Sequence, residues 1–409
     1  MALKARVVSL VVVPLAVLAA VAWRFGGNES PVSPKNKEVK EQGPIGGDPG
    51  HLFPISIDGK SGYINGRGEV VIQAEYWSAY EFYGDRGVVW RLGDPYMFEF
   101  AIIDRSGKVL TPFYPAEPFD HTYSEGLIPF DAEEGVGFMD LHGNVAVPPK
   151  YKFPPFEETG ADCYCVFEGG PVDGFHEGFA FVHEGHDVYF IDRTGKRAFD
   201  LKIDNAGTFN EGHAPVQIKG KWGLIDESGK LTAPPVYEHV GNYSDGLAPA
   251  SMDGEHYFFI NSHGEKVLDN GYSFAYPFSD GLAAVKLIPG KIQYTYIDTT
   301  GKGAFVLPEG ASPGEFKEGL VRVQHSTNVT EQPSPNHTLN YSISQTVFYD
   351  RSGRIVIKLD PSDHHADQFG HYADDFSHGL AKVWTQDKGR KSGYIDKGGN
   401  WVWSTLYGS

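Results

Sequence analysis

A six-residue signature, two apolar residues, Asp or Asn, two further residues and then glycine, returns nine times along this chain. It stands at Asn65, Asp104, Asp140, Asp192, Asp226, Asn261, Asp298, Asp350 and Asp396, with glycines at 68, 107, 143, 195, 229, 264, 301, 353 and 399. A three-residue hairpin loop built on a type I turn favours Asp or Asn at its first position and a left-handed glycine at its fourth. The Asp or Asn side chain also accepts from the backbone two residues on. The recurring acids are therefore expected to be turn-formers, not metal ligands or catalytic groups. A unit of roughly 35 residues is too small to bury a core alone, so neighbouring copies must stack.

Both residues before each turn are apolar: Leu224-Ile225 before Asp226, Phe259-Ile260 before Asn261, Tyr296-Ile297 before Asp298. Successive side chains of a strand face opposite ways, so this strand is predicted to be covered on both faces. A second signature, aromatic-x-acid-Gly, opens another short strand, as in Phe209-Asn-Glu-Gly212, Tyr243-Ser-Asp-Gly246 and Phe278-Ser-Asp-Gly281. It recurs at Tyr123, Phe175 and Phe316, and in altered forms at Phe376-Ser-His-Gly379, with histidine at the acid, and Tyr83-Gly-Asp-Arg86, with arginine at the glycine. Because it belongs to nearly every unit, the aromatic is expected to wedge between repeats.

The run GKWGLIDESGKLTAPP, taken with FSDGLAAV, resembles the WG-repeat family. The resemblance covers essentially everything after residue 50, although the literal Trp-Gly pair occurs only at Trp222-Gly223. Other copies carry Ser61-Gly62, Val136-Gly137 or Ser392-Gly393. It implies an all-β repeat, no general activity, and no catalytic, cofactor or metal residues to carry over.

Aromatics at 14% and hydrophobics at 41% fit many short strands rather than a disordered chain. A net charge of −18 argues against phosphate-backbone binding, so no nucleic-acid partner is expected. The two cysteines, Cys163 and Cys165, make no disulfide framework or complete metal site. Lys4 and Arg6, the apolar run Val7 to Trp23 and the Ala20-Val21-Ala22 triplet read as a signal peptide or membrane anchor over residues 1–24. A polar linker over 25–50 would let the body stand away from a membrane, and an exported location is expected.

Three insertions interrupt the period, near 151–174, 326–344 and 361–375. Insertions in repeat arrays map to loops, often on the binding face. The second is rich in Ser, Thr, Asn and Pro, reads as a mobile hairpin tip, and holds glycosylation-type triplets at Asn328, Asn336 and Asn340. The third gathers Asp363, His364, His365, His371, Asp374 and Asp375, the strongest metal-type cluster in the sequence, without a compact zinc spacing. His183-Glu-Gly-His186 has one residue too few between its histidines for the zinc-protease motif and falls in a hairpin.

The predicted fold is all-β: about eight complete three-stranded units plus an N-terminal hairpin around Asn65. Strand counting favours an open solenoid or superhelix over a closed β-propeller. Two functional readings follow. In the first, the chain is a non-enzymatic exported scaffold binding a protein or a cell-envelope polymer, with no cofactor. In the alternative it is an extracytoplasmic enzyme or a small-ligand or metal-binding protein using the His and Asp groups of the insertions.

Overall fold

The nine turn signatures close nine hairpins in the computed structural model. It describes residues 46–406 except 94–97, 116–123, 133, 152–173, 185–186, 288–292, 335–336, 360–371 and 386–390. The expected leader and most of the linker, Cys163 and Cys165, Asn336, and Asp363 to His371 lie outside the described residues. Among those residues every sheet is antiparallel and no helix occurs.

Each turn is built as its residues dictate. In the fifth copy Gly229 N donates to Asp226 O at 2.8 Å, while Asp226 Oδ1 accepts from Ser228 N, Lys230 N and the Ser228 hydroxyl. All nine turn glycines have positive φ, as the left-handed position requires. The hydroxyls of Ser106, Ser228 and Thr300 are the main reason that Asp104, Asp226 and Asp298 sit below the usual carboxylate value. Asp350 is brought down to about 2, first by Ser352. In Asp140 and Asp192 slight burial is the largest contribution and opposes the shift, but the hydrogen bonds together outweigh it.

A depressed folded pKa stabilises above the unfolded value, about 3.9, and that stability is lost as pH falls through the folded value. Asn65 and Asn261 make the same turn without a titrating group. Replacing Asp104, Asp226, Asp298 and Asp350 together by Asn is therefore expected to flatten the acid limb of stability. Urea midpoints of wild type and variant should run parallel above pH 5 and converge between pH ~4 and ~2. Parallel curves throughout would show that the turn carboxylates carry no acid sensitivity.

The acid-Gly pair of the second signature is a turn as well. Glu211 and Gly212 both have positive φ (51° and 75°), and Asn210 and His213 exchange backbone hydrogen bonds across them. That is a two-residue hairpin loop with left-handed backbone at both positions. The carboxylate then reaches sideways: Glu177 accepts from Glu211 N and Gly212 N, and Glu211 accepts from Asp245 N and Gly246 N. Asp245, Asp280 and Glu318 continue the series to Gly281 N, Gly319 N and Gly379 N. A ladder of carboxylates thus joins repeat to repeat.

The second copy corrects the predicted register. Tyr83 is exposed and bridges Arg86, while Phe82 is buried in the aromatic place. The step there is Phe82-Tyr83-Gly84-Asp85, with glycine and acid exchanged.

Most units carry four strands, a two-residue strand preceding the three expected. The fifth runs Asn205–Ala206, His213–Ile218, Lys221–Asp226 and Leu231–Tyr237. The first unit is more than a hairpin: Leu52–Ile57, Lys60–Asn65 and Val70–Tyr76 form a three-stranded sheet. The second insertion is largely regular strand, with Leu320–Ser334 paired to His337–Asp350 through Glu331↔Leu339.

The central strands are covered on both faces, as their paired apolar residues require. Ile225 packs toward the fourth repeat with Phe190 and Phe209, and Leu224 toward the sixth with Tyr243 and Ile260. The step aromatics Phe209 and Tyr243 stand in these inter-repeat clusters. The terminal repeats follow the same rule. Ile64 and Tyr394, the equivalents of Ile225 and Leu224, share one cluster with Phe53, Ile55 and Leu380. The nine core clusters of the described residues each span two repeats, and the ninth joins the last repeat to the first.

Candidate functional site

The place where the last repeat meets the first differs chemically from the junctions of the third to ninth repeats. Tyr394 donates to Pro54 O at 2.8 Å, as Tyr63 donates to Tyr80 O and Tyr296 to Gly314 O at two ordinary junctions. The carboxylate ladder, however, stops here. The acid of the ninth step is replaced by His378, whose φ of 51° keeps the same turn. The backbone N–H groups it would have served are satisfied locally: Asp48 Oδ1 accepts from Gly50 N at 2.8 Å and Asp48 O from His51 N at 3.0 Å. His378 contributes its carbonyl, which accepts from Asp48 N at 2.7 Å.

The His378 ring, released from that role, stacks on His51 with centroids 3.7 Å apart and an interplanar angle of 8°. His51 is 8% exposed and packs its edge on Phe53. Its Nε2 is buried with no hydrogen-bond partner. Burial, then His378, pushes its pKa down to about 4, so the ring is neutral at physiological pH. Ser377 Oγ lies 3.0 Å from His378 Nδ1.

Glu81, from the segment before the second repeat's Arg86–Leu92 strand, completes the group. The ligand-type atoms of His51, Glu81 and His378 all lie within 4.8 Å of one another. Burial raises the Glu81 and Asp374 carboxyls and lowers Lys382, and these three charges act on one another. Burial likewise holds the Tyr394 phenol well above its ordinary value. From the opposite side Arg105 donates to Gly50 O and Gly84 O, tying the second repeat to the first.

Of the residues singled out in the third insertion, only Asp374 and Asp375 are described. Asp375 Oδ1 accepts from Arg322 Nε at 2.9 Å in an ion pair between the eighth and ninth repeats. Asp374 lies in the seam's charged cluster. Asn328 and Asn340 lie on the two long strands. His183 and Glu184 pair with Val188 and Asp187, as a hairpin there requires, and Glu184 accepts from the Tyr189 hydroxyl, while Gly185 and His186 lie outside the described residues. His51 and Glu81 were not singled out by the sequence. The signal for this site is a departure from the pattern: His378 stands where the six steps from Tyr123 to Phe316 carry an acid, and His51 where they carry glycine.

A model described as WG containing repeat matches residues 62–89, 190–222, 222–255 and 257–287. A search of curated proteins gives no match. Among solved structures, the dihydro-heme d1 dehydrogenase NirN in complex with DHE is 14% identical. It has a TM-score of 0.41, over 75% of this chain and 70% of that one. BamB from Moraxella catarrhalis is 11% identical with a TM-score of 0.36, over 77% and 96%. The WD40 β-propeller domain of Doa1 is 14% identical with a TM-score of 0.29, over 58% and 86%. All three scores lie below 0.5, and nothing about this chain is drawn from them. The four matched stretches share one turn and one step with the rest of the array, and over those stretches the chain carries WG containing repeats.

Proposed function

We propose that this chain is an exported, non-catalytic scaffold whose nine repeats close head to tail, and that it binds another protein through the long hairpin of its eighth repeat. The observation that carries the binding reading is that hairpin. Leu320–Ser334 and His337–Asp350 run well past the sheet they belong to. Neighbouring backbone pairs only as far as His325 on one side and Thr346, which accepts from Leu359 N, on the other. Beyond those points, among the described residues, the two strands pair only with each other. Both outer edges of the ribbon therefore offer unpaired backbone groups, the chemistry of strand addition by a partner polypeptide.

The repeat supports the scaffold part. Its recurring acids bond into their own turns or into the neighbouring repeat, and its recurring aromatics fill the core. The meeting of first and last repeats in one apolar cluster supports closure. The basic and apolar N-terminal run supports export.

Ser326 faces Ser344 across the ladder, so replacing residues 327–343 by Asn-Gly should shorten the ribbon without disturbing the repeat. The shortened chain is expected to melt within a few degrees of the full one and to lose most partner recovery in proximity labelling from the native host. Unchanged recovery would overturn the assignment of this arm. Recovery of a cell-envelope polymer in place of a protein would overturn the class of partner.

A further inference from the structure

We propose that His51, Glu81 and His378 form a site for one divalent transition metal ion of the zinc class, clipping the first, second and last repeats together. Two imidazoles and one carboxylate are the donor set that borderline cations such as Zn2+ prefer, and three protein ligands leave a fourth position for water. His378 lies about three hundred positions along the chain from both His51 and Glu81. Only the meeting of the two ends brings them within 4.8 Å of one another.

Packing alone explains a stacked histidine pair, but not its buried polar atom. A buried ring nitrogen without a partner is a standing cost, and His51 Nε2 is one. A metal ion satisfies it, and a neutral imidazole is the form that ligates. Asp48, Glu81 and Asp374 supply negative charge around the pair, against the half-buried Lys382 and Arg105. The Ser377 hydroxyl engages Nδ1 of His378, which leaves Nε2 to bind.

A tetrahedral zinc with bonds of 2.0–2.1 Å holds its ligand atoms about 3.3 Å apart. The present spacing, within 4.8 Å, is wider than that by up to about 1.5 Å. Parallel rings direct their lone pairs side by side, so one ring must turn. His378 is exposed and can do so, while His51 stays in the core.

The two histidines occupy the positions where the repeat ordinarily places an acid and a glycine. At this junction a metal clip would take the place of one rung of the carboxylate ladder. A cross-link between the ends of a long chain restrains its unfolded state more than a local one does. The proposal stands apart from the partner-binding arm, so either can fail without the other.

The test is a Co2+ titration of the full chain, without an affinity tag and after chelation, followed by Zn2+ competition and thermal melts. One Co2+ per chain should bind with visible ligand-field absorption, Zn2+ should displace it, and excess Zn2+ should raise Tm. Glu81→Gln keeps the side-chain shape, and His378→Ala alters an exposed residue. Each should weaken binding at least tenfold and abolish the Zn2+-dependent rise in Tm. The combined variant His364→Ala, His365→Ala, His371→Ala should bind like wild type. Absence of stoichiometric Co2+ binding overturns the site. So does equal binding by the Glu81 and His378 variants, or loss of binding in the triple variant.

Discussion

Gly68→Ala is expected to cost about 3 kcal/mol or more, while the same change at Gly212 costs about 1–2 kcal/mol. The two glycines have nearly the same backbone, with φ of 81° and 75°, so the left-handed penalty for alanine is common to both. Their surroundings differ. A Cβ at Gly212 meets nothing within 4 Å, whereas one at Gly68 lies 2.3 Å from the carbonyl oxygen of Val402. That oxygen belongs to the last strand, Trp401–Leu406, and being backbone it cannot step aside by a rotamer change. Every turn glycine leans on the preceding repeat in this way, Gly229 on Phe199 and Gly264 on Ala233 among them. The preceding repeat for Gly68 is the ninth. Urea denaturation of the two variants gives the difference directly. Equal losses would mean that the first turn is not held against the last strand.

The nine turns were legible because their chemistry is local: Asp or Asn, two residues and a glycine specify the loop without help from the rest of the chain. The two-sided burial of the central strand was legible for the same reason, since two adjacent apolar residues point both ways whatever the neighbours are. The acid-Gly step was half read. Its aromatic was placed correctly between repeats, but Asp245-Gly246 and its relatives are also two-residue hairpin loops, a pairing that the Asp-Gly spelling signals on its own. That their carboxylates cross to the next repeat depends on how repeats stack, and nothing within one copy reports it.

The second copy misled because Phe82 and Tyr83 offer two aromatics and Gly84-Asp85 inverts the acid and glycine. The choice between registers is made by burial, which favours Phe82. The seam was hidden for a different reason. Its residues are separated by nearly the whole array, and only docking of the ends brings His378 onto His51. In a repeat the informative positions are the exceptions. His378 breaks a series of acids, and a reading that treated it as one more variant of the step passed over it. Asp374 and Asp375, grouped in sequence with the histidines before them, divide in the structure between the charged seam and the Arg322 ion pair.

Tyr394→Ala should be among the most damaging single changes in the chain, costing about 3–5 kcal/mol. The side chain is 3% exposed, tilts against Phe53 with ring centroids 5.3 Å apart, and donates to Pro54 O. Tyr394→Phe keeps the ring and removes only the hydroxyl, for about 1 kcal/mol. A double-mutant cycle carries the argument further than either change. If the first and last repeats are packed, Phe53→Leu and Tyr394→Ala are non-additive by about 0.5–1.5 kcal/mol. The pair Tyr296 and Phe316, also 5.3 Å apart across an ordinary junction, supplies the reference coupling. In an array with free ends Phe53 and Tyr394 would sit at opposite termini, and their effects would add. A coupling at residues 53 and 394 equal to that at 296 and 316 would make the ninth junction energetically the same kind of contact as the rest. The histidine pair then sits on a junction that the apolar core already holds, and a metal there adds to closure without being required for it.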